Sequence, residues 1–281
     1  VKGTQNMLFA GILEPLQQII EESGYVATVY YIDEEANEVA QARRICTERK
    51  PHGILFLGSN PEYFTPELEA LGIPCLLLTN SAASLRIRNL SSVSVDDMAA
   101  SDTMIEYLYK KGHRRIGILW TEPHNRTMRD LVDGFRTYAR FNGLETELLD
   151  CATEYGENAL DNTRAFLHRY LAEVPVLPFS ALFVVSDETA VAALDALETE
   201  GIRVPQELSV IGQGMIDIPG RYRGRLTSVG HPLETIVSRA LEIIDTLQKG
   251  DFQKETQIKI DPVVFEGATV KPFSEIPVVQ H

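Results

Sequence analysis

Residues 98–120, MAASDTMIEYLYKKGHRRIGILW, decide the fold class. Met98, Ser101, Met104, Ile105 and Leu108 recur at spacings of three and four, the stripe of one helical face. Lys110, Lys111 and Gly112 close that helix, the cations meeting its negative end and the glycine taking the turn that stops it. Ile116–Trp120 then runs without a polar side chain, as a parallel strand covered on both faces requires. Helix, turn and buried strand together are one step of an α/β alternation.

The same pattern extends in both directions. Val26–Ile32, Gly53–Leu57, Cys75–Leu78, Ala181–Val185 and Leu208–Ile211 read as further buried strands. Helical spacing recurs in Val191, Leu194 and Leu197, stopping at Gly201. It recurs again in Leu233, Ile236, Val237, Ala240, Leu241, Ile244 and Leu247, stopping at Lys249 and Gly250. Phe9, Ile12, Leu13, Leu16, Ile19 and Ile20 give a further stripe, but Pro15 inside it predicts a kink or a later start. Alternating strands and helices mean right-handed βαβ units and doubly wound α/β architecture. The count of roughly ten strands is too large for one compact sheet, so two Rossmann-like lobes are expected.

Charge and composition narrow the function. Forty acidic against 26 basic residues give −14, and such a surface repels phosphate backbones, so this polypeptide alone is not expected to bind nucleic acid. Cys46, Cys75 and Cys151 are odd in number and sit in or beside apolar stretches, which favours a reducing compartment, the cytoplasm. No apolar run reaches the roughly 18 residues of a membrane helix. The longest candidate, Val174–Val185, is interrupted by Pro175 and Pro178. No signal-peptide pattern opens the chain, and Val1-Lys2-Gly3 reads as the tail of a strand, so a fragment of a longer protein is expected.

Catalytic signatures are missing: there is no Gly-x-Ser-x-Gly, Walker loop, His-Glu-x-x-His or Cys-x-x-Cys. Gly212-Gln213-Gly214 follows a strand, but the third glycine of a dinucleotide loop falls on Asp217, so nucleotide binding is rejected. The six histidines lack metal-ligand spacing, and His113 reads as a turn residue bonding backbone carbonyls. Neither cofactor, metal nor enzymatic activity is expected. Asp33-Glu34-Glu35 reads as a solvated helix start. Asp96-Asp97 and Asp187-Glu188 follow strands at helix starts, where they serve either as ligand contacts or as helix caps. Arg126 and Arg129 follow a polar loop and can fork onto a ligand or pair with the acidic surface. Phe9 can stack on a ligand ring or fill the core.

Several stretches together resemble the effector-binding domain of the LacI/GalR family of bacterial transcription regulators. Asn6-Met7-Leu8-Phe9-Ala10-Gly11-Ile12 is similar to that family's Asn-Pro-Phe-Phe-Ala-Glu-Ile. Gly112-His113-Arg114-Arg115-Ile116 is close to Gly-His-Arg-x-Ile, and Gly134-Phe135 matches a Gly-Phe pair on a helix. Val204-Pro205-Gln206-Glu207-Leu208-Ser209-Val210-Ile211-Gly212 resembles Val-Pro-x-Asp-(Val/Leu)-Ser-Val-x-Gly, and Leu226-Thr227-Ser228-Val229 with Pro232 matches Leu-Thr-(Thr/Ser)-Val-x-x-Pro. In order and spacing these cover nearly the whole chain.

The resemblance implies a periplasmic-binding-protein-like fold of type I: two lobes joined by three crossovers, with a small molecule, a sugar or related metabolite, in the cleft. It implies lobes of residues 1–96 plus 232–255 and 97–231 plus 256–281. The ligand-lining positions it implies are Leu8, Phe9, Ser59, Asn60, Thr79, Asn80, Asp97, Asn125, Arg126, Thr127, Arg129, Ser186, Asp187, Gln213 and Gly214. Phe9→Ala or Asp187→Ala is then expected to weaken effector binding with fold and dimer intact. A homodimer is implied, as is a helix-turn-helix headpiece of about sixty residues upstream, through which alone operator DNA would be bound. The alternative is an extracytoplasmic solute-binding protein of a transporter. Departures concentrate at the ligand positions. Gly212-Gln213-Gly214-Met215 stands for Gly-Phe-Asp-Asp, Leu131 for a frequent arginine, Ser186-Asp187 for Asn-Asp, and Glu266 for another arginine.

Overall fold

The computed structural model describes residues 1, 7–33, 36–121, 126–153, 157–174, 176–214, 220–248 and 255–273. The chain divides into two compact units, Val1–Asp96 with His231–Asp261, and Asp97–Gly230 with Pro262–His281. It therefore passes between them three times.

The first unit holds helices α1 (Met7–Glu22) and α2 (Glu38–Arg49) and strands β1 (Ile54–Leu57), β2 (Cys75–Thr79) and β3 (Leu90–Val95). The returning segments add α7 (Leu233–Gln248) and β9 (Gln257–Ile260). The sheet runs β1-β2-β3-β9, parallel throughout. Alternation splits β2 between two cores, which is why its apolar run is unbroken. Leu76 and Leu78 meet Ile12 and Leu16 of α1 and Ile236, Ala240 and Ile243 of α7. Cys75 and Leu77 meet Val39, Phe56, Phe64 and Leu68.

Three sequence expectations change here. Pro15 lies inside α1 without ending it, and the helix begins at Met7; Ile12 and Leu16, 0% and 2% exposed, hold the segment down by tertiary burial. Among the described residues Val26–Ile32 joins no sheet: Val1 pairs with it at Tyr30 and Ile32, and Val26 is 89% exposed. The stretch from 256, expected in the second lobe, belongs to the first up to Asp261, because Ile258 and Ile260 of β9 stand opposite Val93 and Val95. β3 itself escapes an apolar-run reading because Ser91, Ser92 and Ser94 are buried within it. Their hydroxyls are satisfied: Thr256 N–H donates to Ser91 Oγ, Ala82 N–H to Ser92 Oγ, and Ser94 Oγ donates to the Ile258 carbonyl.

The second unit alternates α3 (Asp97–Lys110), β4 (Arg115–Trp120), α4 (Arg126–Phe141), β5 (Glu145–Asp150), α5 (Ala159–Glu173), β6 (Ala181–Val184), α6 (Asp187–Thr199) and β7 (Ser209–Gln213). β8 (Thr227–Gly230) and β10 (Val263–Phe265) complete it. Its sheet runs β10-β8-β7-β6-β4-β5, with β10 alone antiparallel among these pairings. The residues of 98–120 act as their pattern predicts: Met104, Ile105 and Leu108 of α3 and Ile116, Ile118 and Trp120 of β4 share one core with Leu131, Val132 and Phe135 of α4. Phe135 stacks on Phe183, ring centroids 4.8 Å apart. The other face is covered by α5 and α6 through Leu167, Ala190, Leu194 and Leu197.

His113 is fully buried in the turn between α3 and β4, its Nε2 3.0 Å from the Lys271 carbonyl and its Nδ1 2.9 Å from Ser180 Oγ. Burial pulls its pKa down to about 4. The turn role expected of it is what the structure shows. Cys75 and Cys151 are buried thiols whose pKa burial pushes up to about 12, and Cys46 is half-buried; all three are free.

Candidate functional site at the strand carboxyl ends

Side chains at the carboxyl ends of parallel strands converge, and open α/β sheets bind ligands there. In the first unit, β1 leads into Ser59 and Asn60, and β2 ends at Thr79 before Asn80. Asn80 Nδ2 donates to the Ser59 carbonyl at 2.9 Å. The Asn60 N–H donates to Glu38 Oε1 at 3.2 Å, and Asn60 Oδ1 accepts from the Glu62 N–H at 2.9 Å. Glu38, 2% exposed at the start of α2, is a residue of this edge that sequence reasoning missed. Thr79 is buried with φ 76°, a left-handed backbone that a β-branched residue rarely adopts. The structure thus brings the four predicted residues of this edge together.

In the second unit the strand order places β4 and β6 side by side while the chain runs outward to β5 and to β7 and β8 on opposite sides. That is a topological switch point. Leu119 stands opposite Val184 and Phe183 opposite Ile211; continuing the ladder by one residue from the first pair and by two from the second brings Trp120, Val185 and Gln213 into line across three strands. Trp120 and Val185 belong to the core on the α3/α4 face, and Gln213 shares the parity of Ile211 in that core. Trp120 Nε1 and Gln213 Oε1 are covered from solvent and have no hydrogen-bond partner among the described residues. Trp120 is the second residue that the sequence reading passed over, although a lone tryptophan closing a strand was a visible signal.

Asp187 opens α6 behind Ser186, which caps the helix by accepting from the Thr189 N–H at 3.2 Å. The Asp187 carboxylate is 1% exposed and accepts from Ser228 Oγ, at 2.7 Å to Oδ1 and 2.9 Å to Oδ2. A Cβ on Gly212 would lie 2.2 Å from Asp187 Oδ1, so the carboxylate can seat there only over glycine. Asp187 therefore ties α6, β7 and β8 together, and replacing it disturbs the fold as well as any ligand. The cap expected of aspartate is supplied by serine.

The remaining candidates lie on several elements. Phe9 is partly buried and packs on the α1/α7 core. Leu8 lies in α1, Asp97 starts α3, and Arg126 and Thr127 start α4. Arg129 is exposed, whereas Leu131, at the position where the family often has arginine, is buried in the α3/α4 core. Gly214 has φ 124° and donates its N–H to the Val229 carbonyl at 3.0 Å. Asn125 falls outside the described residues. Glu266, at the other departure, pairs with Lys111 at 3.2 Å.

The three connections between units leave the first from Asp96, His231 and Asp261. His231 Nε2 accepts from the Asp96 N–H at 3.2 Å, and Lys259 pairs with the Asp96 carboxylate. Burial lowers the His231 pKa to about 4, against the opposing pull of Asp96 and Asp261. Among the described residues no group of three His, Cys, Asp or Glu could hold a metal ion. No helix among them is long and apolar enough to cross a membrane.

Residues 105–270 match the periplasmic binding protein-like domain family. The chain belongs to that family. The same stretch contains the switch point, Trp120, Asp187 and Gln213. The chain is 23% identical over 267 residues to the HTH-type transcriptional repressor CytR of Escherichia coli K12, covering 93% of this chain and 75% of that protein. It is 26% identical over 253 residues to the HTH-type transcriptional regulator GntR of Pseudomonas aeruginosa, covering 89% and 71%. Among solved structures, the LacI family transcriptional regulator from Enterococcus faecium with bound ribose superposes with a TM-score of 0.72 at 18% identity, covering 97% of each chain. The LacI/GalR resemblance carried by the sequence motifs thus extends over the chain, and the family's two-sheet fold is the fold observed.

Proposed function

We propose that this chain is the effector-sensing and dimerisation module of a LacI/GalR-type transcriptional regulator. It binds a sugar or related metabolite at the carboxyl ends of its strands. The observation that carries the reading is alignment over 93% of the chain with a helix-turn-helix repressor. Taken by itself, the first unit offers Ser59, Asn60, Thr79 and Asn80 to a ligand, and the second unit offers Gln213 and Gly214. Ser186, Asp187 and the start of α4 shape the second edge. The module works by binding and carries out no chemistry. Ligand binding favours one of two conformations by its differential affinity, a coupling of typically 1–3 kcal/mol. A headpiece outside these residues reads the operator in the full-length homodimer, in the cytoplasm; the acidic module itself repels DNA.

Thermal unfolding of the chain against a library of sugars, nucleosides and sugar phosphates tests this. A true effector at a hundredfold excess over its Kd stabilises by about 2.7 kcal/mol. Absence of any stabilising metabolite across that library would refute the effector reading.

A further inference from the structure

We propose that the amino-terminal edge of the second sheet, on its α3/α4 side, docks a short acidic peptide segment that carries one apolar or aromatic anchor. Three stretches meet there: 109–115 from the end of α3 into β4, 140–145 from the end of α4 into β5, and 271–273. They are fastened to one another. The Phe273 N–H donates to the Lys111 carbonyl at 2.9 Å, and the Glu145 N–H to the Arg114 carbonyl at 2.8 Å. Arg114 Nη1 donates to the Tyr109 carbonyl at 3.0 Å, and the guanidinium lies 3.9 Å from the centre of the Tyr109 ring. These sixteen residues carry six cations, Lys110, Lys111, Arg114, Arg115, Arg140 and Lys271, against one carboxylate, Glu145, in a chain of net charge −14. Among them Tyr109, Phe141 and Phe273 are 42%, 85% and 43% exposed.

Helix ends account for part of the charge, since Lys110, Lys111 and Arg140 stand at or beside the negative poles of α3 and α4. They do not account for Arg115 and Lys271, which lie off the helices, nor for three rings left in water. Glu106 pairs with Lys110 at 2.6 Å and Glu266 with Lys111 at 3.2 Å, and with both counted the patch stays positive. Arg115 and Arg140 have no ion pair among the described residues. Exposed arginines beside exposed aromatic rings are the composition of interface centres. Sixteen residues fall short of the roughly 20–30 that one side of a folded partner covers, so the patch fits a segment. Carboxylates of that segment meet the cations, and its anchor packs on Phe141. A nucleic acid fits less well. Charge is screened beyond about 8 Å at physiological salt, so a strand longer than the patch runs onto acidic surface. The surface lies at the opposite end of the strands from the carboxyl edge and does not depend on the effector reading.

Short random peptides displayed on phage are selected on the whole chain at low salt, and the binders are titrated by fluorescence anisotropy beside single-stranded oligo-dT. Selected peptides are expected to be rich in Asp and Glu around a Trp, Phe or Leu, and to bind more weakly as salt is raised. Phe141→Ser, and separately Arg115→Glu combined with Arg140→Glu, are expected to weaken them about 10-fold or more. The unfolding midpoint should stay unchanged, because the replaced side chains are exposed. Amide exchange on the unaltered chain is expected to slow at 109–115 and 140–145 when peptide is added, a readout that needs no variant. Recovery of no binder would overturn the proposal. So would peptides that bind both variants as tightly as the unaltered chain and leave those amides exchanging as before. Selected peptides without acidic residues would remove the role given to the cations. Oligo-dT that binds more tightly than any peptide, and loses affinity on charge reversal, would reassign the surface to nucleic acid.

Discussion

The two sheets present contrasting carboxyl edges. In the first unit the polar groups close on one another: Asn80 bonds the Ser59 carbonyl, the Asn60 N–H bonds Glu38, and Asn60 Oδ1 caps the following turn. In the second, Asp187 is fastened to Ser228 over Gly212, while Trp120 Nε1 and Gln213 Oε1 stay unpartnered. An edge with open donors and acceptors decides what it will accept.

The largest test of this contrast is pH, because among the described residues each unit contains one buried neutral histidine, His231 in the first and His113 in the second, with pKa values near 4. A folded value below the ordinary 6.5 means that the unfolded chain binds the extra proton between these limits. Stability from these groups is complete above about pH 6.5 and is lost as pH falls toward 4, on the order of 3 kcal/mol for each histidine. Urea unfolding from pH 7 to 4 should show this slope, and His113→Gln and His231→Gln should each flatten part of it. A profile flat between those limits would contradict the burial of both rings.

Next in size is the seat of Asp187. Gly212→Ala pushes a methyl group into the carboxylate and should cost about 1–3 kcal/mol; Asp187→Ala, which removes the buried bond from the Ser228 hydroxyl, should cost a similar amount. Chemical denaturation measures both, and an unaltered midpoint for Asp187→Ala would mean that the residue is free for ligand after all. Smaller still is Asn80→Ala, expected to lose about 1 kcal/mol with the Ser59 contact. The smallest effect is the most telling for the comparison. Gln213→Leu should change free-protein stability by less than about 0.5 kcal/mol or raise it slightly, since it removes no protein hydrogen bond. A large loss there would close the second edge as firmly as the first.

Ser59, Asn60, Thr79 and Asn80 came from the family resemblance rather than from any local pattern, and the structure gathers them at one edge of the first sheet. Trp120 was passed over because it ends an apolar run, where an indole reads as core; its unpaired N–H becomes visible only when neighbouring strands are in register. Asp187 read either as a ligand contact or as a helix cap; its carboxylate accepts from Ser228 Oγ, 41 residues away, a partner no local pattern shows. β3 was hidden by its serines, whose partners come from distant segments such as Gln257.

By itself the sequence determined the α/β class, most helices and the strands β1, β2, β4, β6 and β7, since period and apolar run length follow from local geometry and burial. It also contained the motifs of the family. Tertiary structure decided the rest. It assigned β9 to the first sheet, carried α1 through Pro15, fixed Asp187 on Ser228, and left Trp120 and Gln213 open on one rung. These depend on which distant groups meet, and hydrogen-bond satisfaction is a property of pairs that no single segment contains.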